Sequence, residues 1–280
     1  MEEGFLGEMR MSEFRKFSGL VRAQSGIHLE TKKRDLLQAR LGKRMRALSL
    51  TSFWDYYERV LSDETGEEMA RMLDAVTTNK TEFFRENKHF ILLSQRVLPE
   101  LLAGAAQRAD KTLRIWSAAC SSGEEAYTLA ICAKEASVGT QVKVKILATD
   151  LSSPMIRKAV AGIYPKEKVR GVPPVLLEKY FERAGRGEGR VYRAGENLRE
   201  ILHFHRFNLN DGAFPFRNPF DVIFCRNVMI YFDQAVQQGL VTRMAGALRK
   251  GGYFFTGLAE SLLAVKHPFK PVAASVYWKS

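Results

Sequence analysis

Apolar positions recur at helical spacing through the first eighty residues. Phe14, Phe17 and Val21 lie three and four apart, with Ser12 placed to cap the segment and Gly26 to end it. A second helix predicted to open at Thr31 carries Leu37, Leu41, Met45 and Leu48 on one stripe. Lys32, Arg40, Lys43 and Arg46 fall on roughly the opposite face, which reads either as a solvated surface or as a docking face. Two further helices are predicted at 53–61 and 67–76. Four short helices with brief connections predict a small bundle.

The period changes after Asn87. Residues 112–118 form an apolar strand, followed by a small-residue turn and a helix containing Tyr127, Leu129, Ile131 and Cys132. A second strand at 142–149 precedes a helix through Ile156 and Val160. The run 220–225 is apolar almost throughout, as in a strand buried on both faces. A helix at 235–248, a turn at Lys250-Gly251-Gly252 and a strand at 253–256 complete the pattern. Strands alternating with helices predict a doubly wound α/β sheet. The alternation breaks between Gly171 and His205, where Gly185, Gly187, Gly189 and Gly195 interleave with Arg183, Arg186, Arg190 and Arg193. Segments 190–193 and 201–206 read as strands of a small sheet, so an inserted subdomain is expected at 171–206. The alternative is a long loop, which compact domains rarely tolerate without a function.

Composition narrows the class. The chain has 280 residues, 46% hydrophobic and 26% charged, as in an ordinary globular protein. No apolar run reaches the roughly 18–20 residues that span a bilayer, so membrane insertion is not expected. The first residues include Glu2, Glu3 and Glu8, unlike a secretory signal. Three cysteines, Cys120, Cys132 and Cys225, show no paired spacing, which points to a reducing cytoplasm. His203 and His205 have no cysteine near them, and no metal site is expected. The net charge of +12 favours an acidic partner: nucleic acid, anionic membrane or acidic protein. Nothing demands more than a monomer.

Candidate chemistry collects at the ends of the predicted strands. The turn after the first strand reads Ser117-Ala118-Ala119-Cys120-Ser121-Ser122-Gly123-Glu124-Glu125. Small side chains admit a ligand to the backbone, but a single glycine argues against a dinucleotide turn. Glu124 and Glu125 would repel a pyrophosphate and suit a cationic ligand, with Glu125 the candidate contact; they could also simply favour the helix dipole. Asp150, ending the second strand, stands where a ribose diol is held in such folds, or caps the next helix. Arg226 and Asn227 follow the buried third strand at the position of the ligand crevice. Cys225 reads as a small core residue rather than a nucleophile. Residues 78–85, Thr-Asn-Lys-Thr-Glu-Phe-Phe-Arg, read as a connection between the two regions.

Together these strings resemble the CheR family of chemotaxis protein-glutamate O-methyltransferases. The matches are TNKTEFFR at 78–85, WSAACSSGEEAY at 116–127, ATD at 148–150, GIY at 162–164 and FDVIFCRNVMIYF at 220–232, in family order. The resemblance implies an α/β fold. It comprises an N-terminal all-helical domain (1–80) and a Rossmann-like S-adenosylmethionine methyltransferase domain (81–280), with a small inserted antiparallel β-subdomain (171–206). It further implies that Asn79, Thr81 and Arg85 contact the cofactor or the reacting carboxylate. Glu125 would hold the methionine part and Asp150 the ribose; Asn208 and Leu209 would lie by the adenine, and Arg226 and Asn227 would complete the site. Tyr231 matches a family aromatic near the methyl group. The implied cofactor is S-adenosylmethionine, with S-adenosylhomocysteine as product. The implied partners are the acidic cytoplasmic methylation helices of chemoreceptors, met by Lys32, Arg40, Lys43 and Arg46. In some members a receptor C-terminal peptide joins the β-subdomain, and this sequence leaves that open. Two departures stand out: Ala126 replaces the usual proline, and Gly257-Leu258-Ala259-Glu260 replaces G-H-S-E. An RNA methyltransferase would interleave stacking aromatics with the basic residues, and the insert offers chiefly Tyr192 and Phe204. A non-catalytic scaffold is opposed by intact Arg85, Glu125, Asp150 and Arg226.

Overall fold

The computed structural model describes residues 7–185 and 190–280. Glu2, Glu3, Arg186, Gly187 and Gly189, named above, lie outside the described residues. The chain divides into two compact units, residues 1–78 with 231–236 and residues 79–230 with 237–280.

The first unit is helical: α1 (Met11–Ser25), α2 (Arg34–Ala47), α3 (Phe53–Ser62) and α4 (Glu67–Val76). Helix α1 starts one residue before Ser12. Its N-cap is Arg10, whose N–H donates to Glu13 in the first turn, so the acid serves where a cap hydroxyl was expected. Gly26 ends the helix at φ 76°, a left-handed cap that favours glycine. Thr31 opens a single 3₁₀ turn before α2. Phe14, Phe17, Val21, Leu37, Leu41, Met45 and Tyr56 fill the core. A buried carboxylate, Glu68, accepts hydrogen bonds from Arg44 at 2.7 and 2.5 Å and from the Tyr56 hydroxyl at 3.1 Å.

The proposed docking cations on and before α2 separate into two kinds. Arg40 donates to the carbonyls of Val76 and Thr77 and to the Thr78 hydroxyl. It therefore closes the C-terminus of α4, whose last carbonyls have no partner within the helix. That role engages the Arg40 guanidinium within the helical unit. Lys32 pairs with Glu30 at 2.7 Å on the surface, while Lys43 and Arg46 are exposed.

The second unit begins with α5 (Lys88–Leu92), which runs through a π-helical turn (Leu93–Val97) into α6 (Leu98–Ala106). The sequence pattern did not announce this helix. Strand β1 (Thr112–Ala118) leads into α7 (Glu124–Ala136), then β2 (Lys143–Asp150) and α8 (Ser153–Ala161). Three short strands, β3 (Ile163–Pro165), β4 (Phe181–Ala184) and β5 (Val191–Ala194), form an antiparallel sheet in the order β3-β5-β4, with α9 (Pro174–Tyr180) between the first two in sequence. After α10 (Glu196–Arg199) come β6 (Leu202–Arg206), β7 (Phe220–Cys225), α11 (Gln234–Ala247), β8 (Leu248–Thr256), β9 (Phe269–Ala273) and β10 (Val276–Lys279).

The main sheet has the order β6-β2-β1-β7-β8-β10-β9. The first five strands are parallel, and β10 runs antiparallel to both β8 and β9. Two expectations are corrected here. Residues 201–206 do not join the small sheet; β6 pairs in parallel with β2, Ile146 opposite Leu202 through Asp150 opposite Arg206. The Lys250-Gly251-Gly252 segment is no turn but a bulge inside β8, where the register against β7 shifts and Gly251 takes φ 78°. Winding outward from β1 to β6 and back to β7 puts the reversal of strand order between β1 and β7, where the carboxyl ends open a crevice. Among the described residues no helix is long and apolar enough to cross a membrane.

Charge is divided unequally along the chain. Residues 1–78 hold 13 Lys+Arg and 13 Asp+Glu, so residues 79–280 hold 30 against 18 and carry the whole surplus.

Candidate active site

The turn after β1 is folded tightly. Ala119 and Ser121 adopt φ 66° and 50°, left-handed values that non-glycine residues take only when held there. The holding contacts are specific. The Cys120 N–H donates to the Thr149 carbonyl at 2.9 Å, and the Ser121 N–H donates to Asp150 Oδ2 at 2.8 Å. Ser121 Oγ donates to the Asn79 carbonyl at 3.0 Å, and Tyr164 Oη to the Ser122 carbonyl at 2.7 Å. Gly123 sits at φ 96° where a Cβ would meet Ala159 and the Tyr164 hydroxyl at 2.9 Å, so the turn requires glycine.

The two acids at the start of α7 have different surroundings. Glu124 is buried, accepts from Ser122 Oγ at 2.7 Å and lies 3.4 Å from Lys168 Nζ. Glu125 accepts from Ser117 Oγ at 2.8 Å and from Arg226 Nη1 at 3.2 Å. Burial pushes its carboxyl above the ordinary range, and the Arg226 cation opposes the rise. A purely dipolar role does not account for such individual partners.

Arg226 itself is buried, with its side chain 1% exposed. Its Nη2 donates to the Arg85 carbonyl at 2.6 Å and to Glu86 Oε2 at 2.9 Å, and its guanidinium lies 5.3 Å from the Phe90 ring centre. Glu86 also accepts from the Asn227 side chain at 3.2 Å and from the Leu258 N–H at 3.2 Å. Burial works against ionisation of Glu86, but the hydrogen bonds from Arg226 and Asn227 overcome it and hold the carboxyl low. One guanidinium therefore stands between two carboxylates, directly across the strand-order reversal.

Asp150 accepts from the Ser121 and Ser152 N–H groups, both at 2.8 Å. It is not the cap of α8; Ser152 is, accepting from the Met155 N–H. The Asp150 carbonyl receives Phe207 N–H at 2.9 Å, which brings the start of the loop after β6 beside it. In that loop Asn208 donates to Asp211 and accepts from the Asn210 N–H, while buried Leu209 offers its carbonyl to Arg243. The Thr81 carbonyl lies 3.4 Å from Lys168 Nζ. The half-exposed Arg85 side chain donates to the Lys80 carbonyl at 2.9 Å.

Of the residues singled out in the sequence, Glu125, Arg226, Asn227 and the Arg85 backbone share one network, and Asn79 meets Asp150 through Ser121. Asn208 and Leu209 form their own loop. Tyr231 is grouped with the helical unit, where its carbonyl accepts from the His28 N–H at 2.7 Å.

Two residues of the network escaped the sequence reading. Glu86 follows the TNKTEFFR string immediately. Glu260 is the last residue of the aberrant Gly257-Leu258-Ala259-Glu260, and it accepts from the N–H groups of Gly257 (2.6 Å), Asn227 (2.7 Å) and Ile230 (3.2 Å). Leu258 and Ala259, the departures from G-H-S-E, are exposed, whereas Gly257 admits no Cβ beside Asn227 and Glu260. The two members kept from the family string, Gly257 and Glu260, are the ones that build the loop's hydrogen bonds. Burial pushes the thiols of Cys120 and Cys225 far up, as suits core residues.

The carboxylate-rich edge of an otherwise basic unit fits a cationic ligand. Residues 12–77 match the model of the CheR methyltransferase all-alpha domain, and residues 79–278 match that of the CheR methyltransferase SAM binding domain. The chemotaxis protein methyltransferase of Borreliella burgdorferi is 38% identical over 86% of this chain and 85% of its own. Chemotaxis protein methyltransferase 2 of Pseudomonas aeruginosa is 38% identical over 90% and 88%, and the Escherichia coli chemotaxis protein methyltransferase 36% over 95% and 90%.

Proposed function

The chain belongs to the CheR methyltransferase family, and from that premise we propose that it esterifies glutamate side chains on methyl-accepting chemoreceptors. It is an S-adenosylmethionine-dependent methyltransferase. The observation that carries the finer reading is the carboxylate-rich network around Arg226, beside the exposed turn that presents Arg85.

When bound, S-adenosylmethionine supplies a methyl group on positively charged sulfur. The chain's own residues have a limited task. A substrate glutamate is already ionised at neutral pH, since its unperturbed pKa is about 4.3. No general base is needed, and catalysis reduces to alignment and charge. In this reading Glu125 holds the amino group of the cofactor and Asp150 the ribose, while Asn79, Thr81, Asn208 and Leu209 line the remainder. Arg226 and Asn227 support Glu125 and the loop at Gly257. Arg85 orients the substrate carboxylate by a paired hydrogen bond. Its present partner is a neutral carbonyl, and exchanging one such bond costs about 1 kcal/mol, less than a charged pair returns. Tyr231 is proposed beside the methyl group on family resemblance alone.

The acidic receptor helices suit the exposed cations Lys43 and Arg46, with Lys32 held by Glu30 and Arg40 occupied elsewhere. In the small sheet β4 is an outer strand bearing Arg183, which suits addition of an acidic receptor peptide by strand pairing. The test is incubation with methyl-labelled cofactor and membranes containing chemoreceptors. Alkali-labile label on receptor protein is expected, and Arg85→Ala should cut turnover about a hundredfold while cofactor affinity changes little. Absence of label on any receptor, or an Arg85→Ala enzyme with full turnover, would reject the assignment.

A further inference from the structure

S-adenosylmethionine and its product differ by one methyl group and one positive charge. Contacts to the amino acid, ribose and adenine are common to both, so they shift both affinities together. Discrimination between charged and neutral forms has to come from the field at the sulfur and from contact with the methyl group. The background field is unfavourable to a cation, because residues 79–280 hold 30 Lys+Arg against 18 Asp+Glu. At the crevice the balance reverses.

How the reversal is built is visible in the partners of Arg226. With Glu125 alone, the buried guanidinium would make a neutral pair. Glu86, whose carboxyl is held low, adds a second carboxylate to the same cation and so brings a further negative charge to the trio. Glu86 also takes the closer contact, 2.9 Å against 3.2 Å for Glu125. The other titratable neighbour of Glu86 is His89, whose Nδ1 lies 3.6 Å away. Burial, with the nearby Arg226 cation, lowers the His89 pKa, so the ring stays neutral and does not cancel that charge. The Arg85 guanidinium, half-exposed and partly screened by solvent, also acts on Glu125 and reduces the negative balance without altering the share that Glu86 supplies.

We propose that Glu86 is a positioning residue that, through Arg226, biases the crevice toward the sulfonium form of the cofactor relative to its neutral demethylated product. The inference rests on the cofactor assignment but not on the receptor. Removing the Glu86 charge should weaken the cation selectively. A unit charge near a half-buried ligand is worth about tenfold in affinity.

The experiment is calorimetric titration of the whole protein with S-adenosylmethionine, S-adenosylhomocysteine and sinefungin, whose amine replaces the sulfonium. Glu86→Gln is expected to lower affinity for the two cationic ligands about tenfold more than for the neutral one. Leu258→Lys and Leu258→Glu change an exposed side chain whose own N–H donates to Glu86. They should move the cation-to-neutral ratio down and up by about threefold, and they keep the test open if Glu86→Gln does not fold. Parallel loss of all three ligands in Glu86→Gln, or an unchanged ratio in the Leu258 pair, would overturn the inference. Failure of the wild-type protein to bind any of the three would instead overturn the cofactor assignment beneath it.

Discussion

Strand β7 has a buried ion cluster at each end, and the two are built with opposite stoichiometry. Near its start, Asp221 is 1% exposed and sits between Arg108 at 2.5 Å and Arg249 at 3.0 Å, while the Arg114 N–H donates to it at 2.8 Å. Just past its end, Arg226 sits between Glu125 and Glu86. One acid held by two bases makes a clamp: both carboxylate oxygens accept hydrogen bonds, and the surplus is positive like the rest of the unit. One base held by two acids leaves carboxylate capacity and a negative surplus in a positive surround. Burying charge is costly in both places. At the first end it ties α6-proximal chain to the sheet; at the second it leaves a field suited to a cationic ligand. Identical chemical parts serve structure or binding according to which sign is in excess.

The comparison can be broken most decisively at the clamp. Asp221→Ala would leave two arginines without their shared acid, and breaking a buried pair costs about 3–5 kcal/mol. A lowered urea midpoint is expected, with the ratio of cationic to neutral ligand affinity unchanged in the folded protein. A changed ratio would mean that the two ends of β7 are not independent.

Arg226→Ala is the next largest, about 3 kcal/mol at neutral pH, and its pH dependence carries the sign. Without the guanidinium, Glu125 and Glu86 face each other uncompensated and both carboxyls rise in the folded state. A raised folded pKa costs stability as pH climbs through it, so the deficit should be greatest at neutral pH and shrink toward pH 5. Wild type behaves oppositely at Glu86, whose carboxyl is held low: its contribution is present above the ordinary glutamate range and is lost as pH falls. Urea midpoints at pH 7.5 and 5 separate the two. A deficit that grows in acid would contradict the two-acid arrangement.

The smallest effect is expected at Arg249→Ala. Its side chain is 32% exposed and Arg108 keeps Asp221 paired, so the loss should stay within about 1 kcal/mol. A loss equal to that of Asp221→Ala would show that the clamp needs both bases and is not over-determined.

How much of this was legible beforehand depends on the range of the interaction. Strands β1 and β7 matched their expected bounds because continuous apolar runs betray themselves locally, and α4 did so through its 3.6 period. The acids and bases at the strand ends, Glu125, Asp150 and Arg226, were visible because α/β sheets place ligands at carboxyl ends. Glu86 and Glu260 were not, for nothing in FFRE or GLAE states that those carboxylates fold back onto residues 140 and 33 positions away. Nor did the pattern announce β9 and β10, short strands of which the first contains Pro271 and the exposed Lys270.

The sequence by itself determined the alternation of elements, the small-residue turn that only Gly123 can complete, and the total charge. Tertiary structure alone decided that β6 would pair with β2 instead of the small sheet, that Arg40 would close α4, and that Arg226 would be shared between two acids. The reason is physical: periodicity and propensity act over a few residues, whereas pairing of strands and burial of charges depend on partners that only the folded chain brings within hydrogen-bond reach.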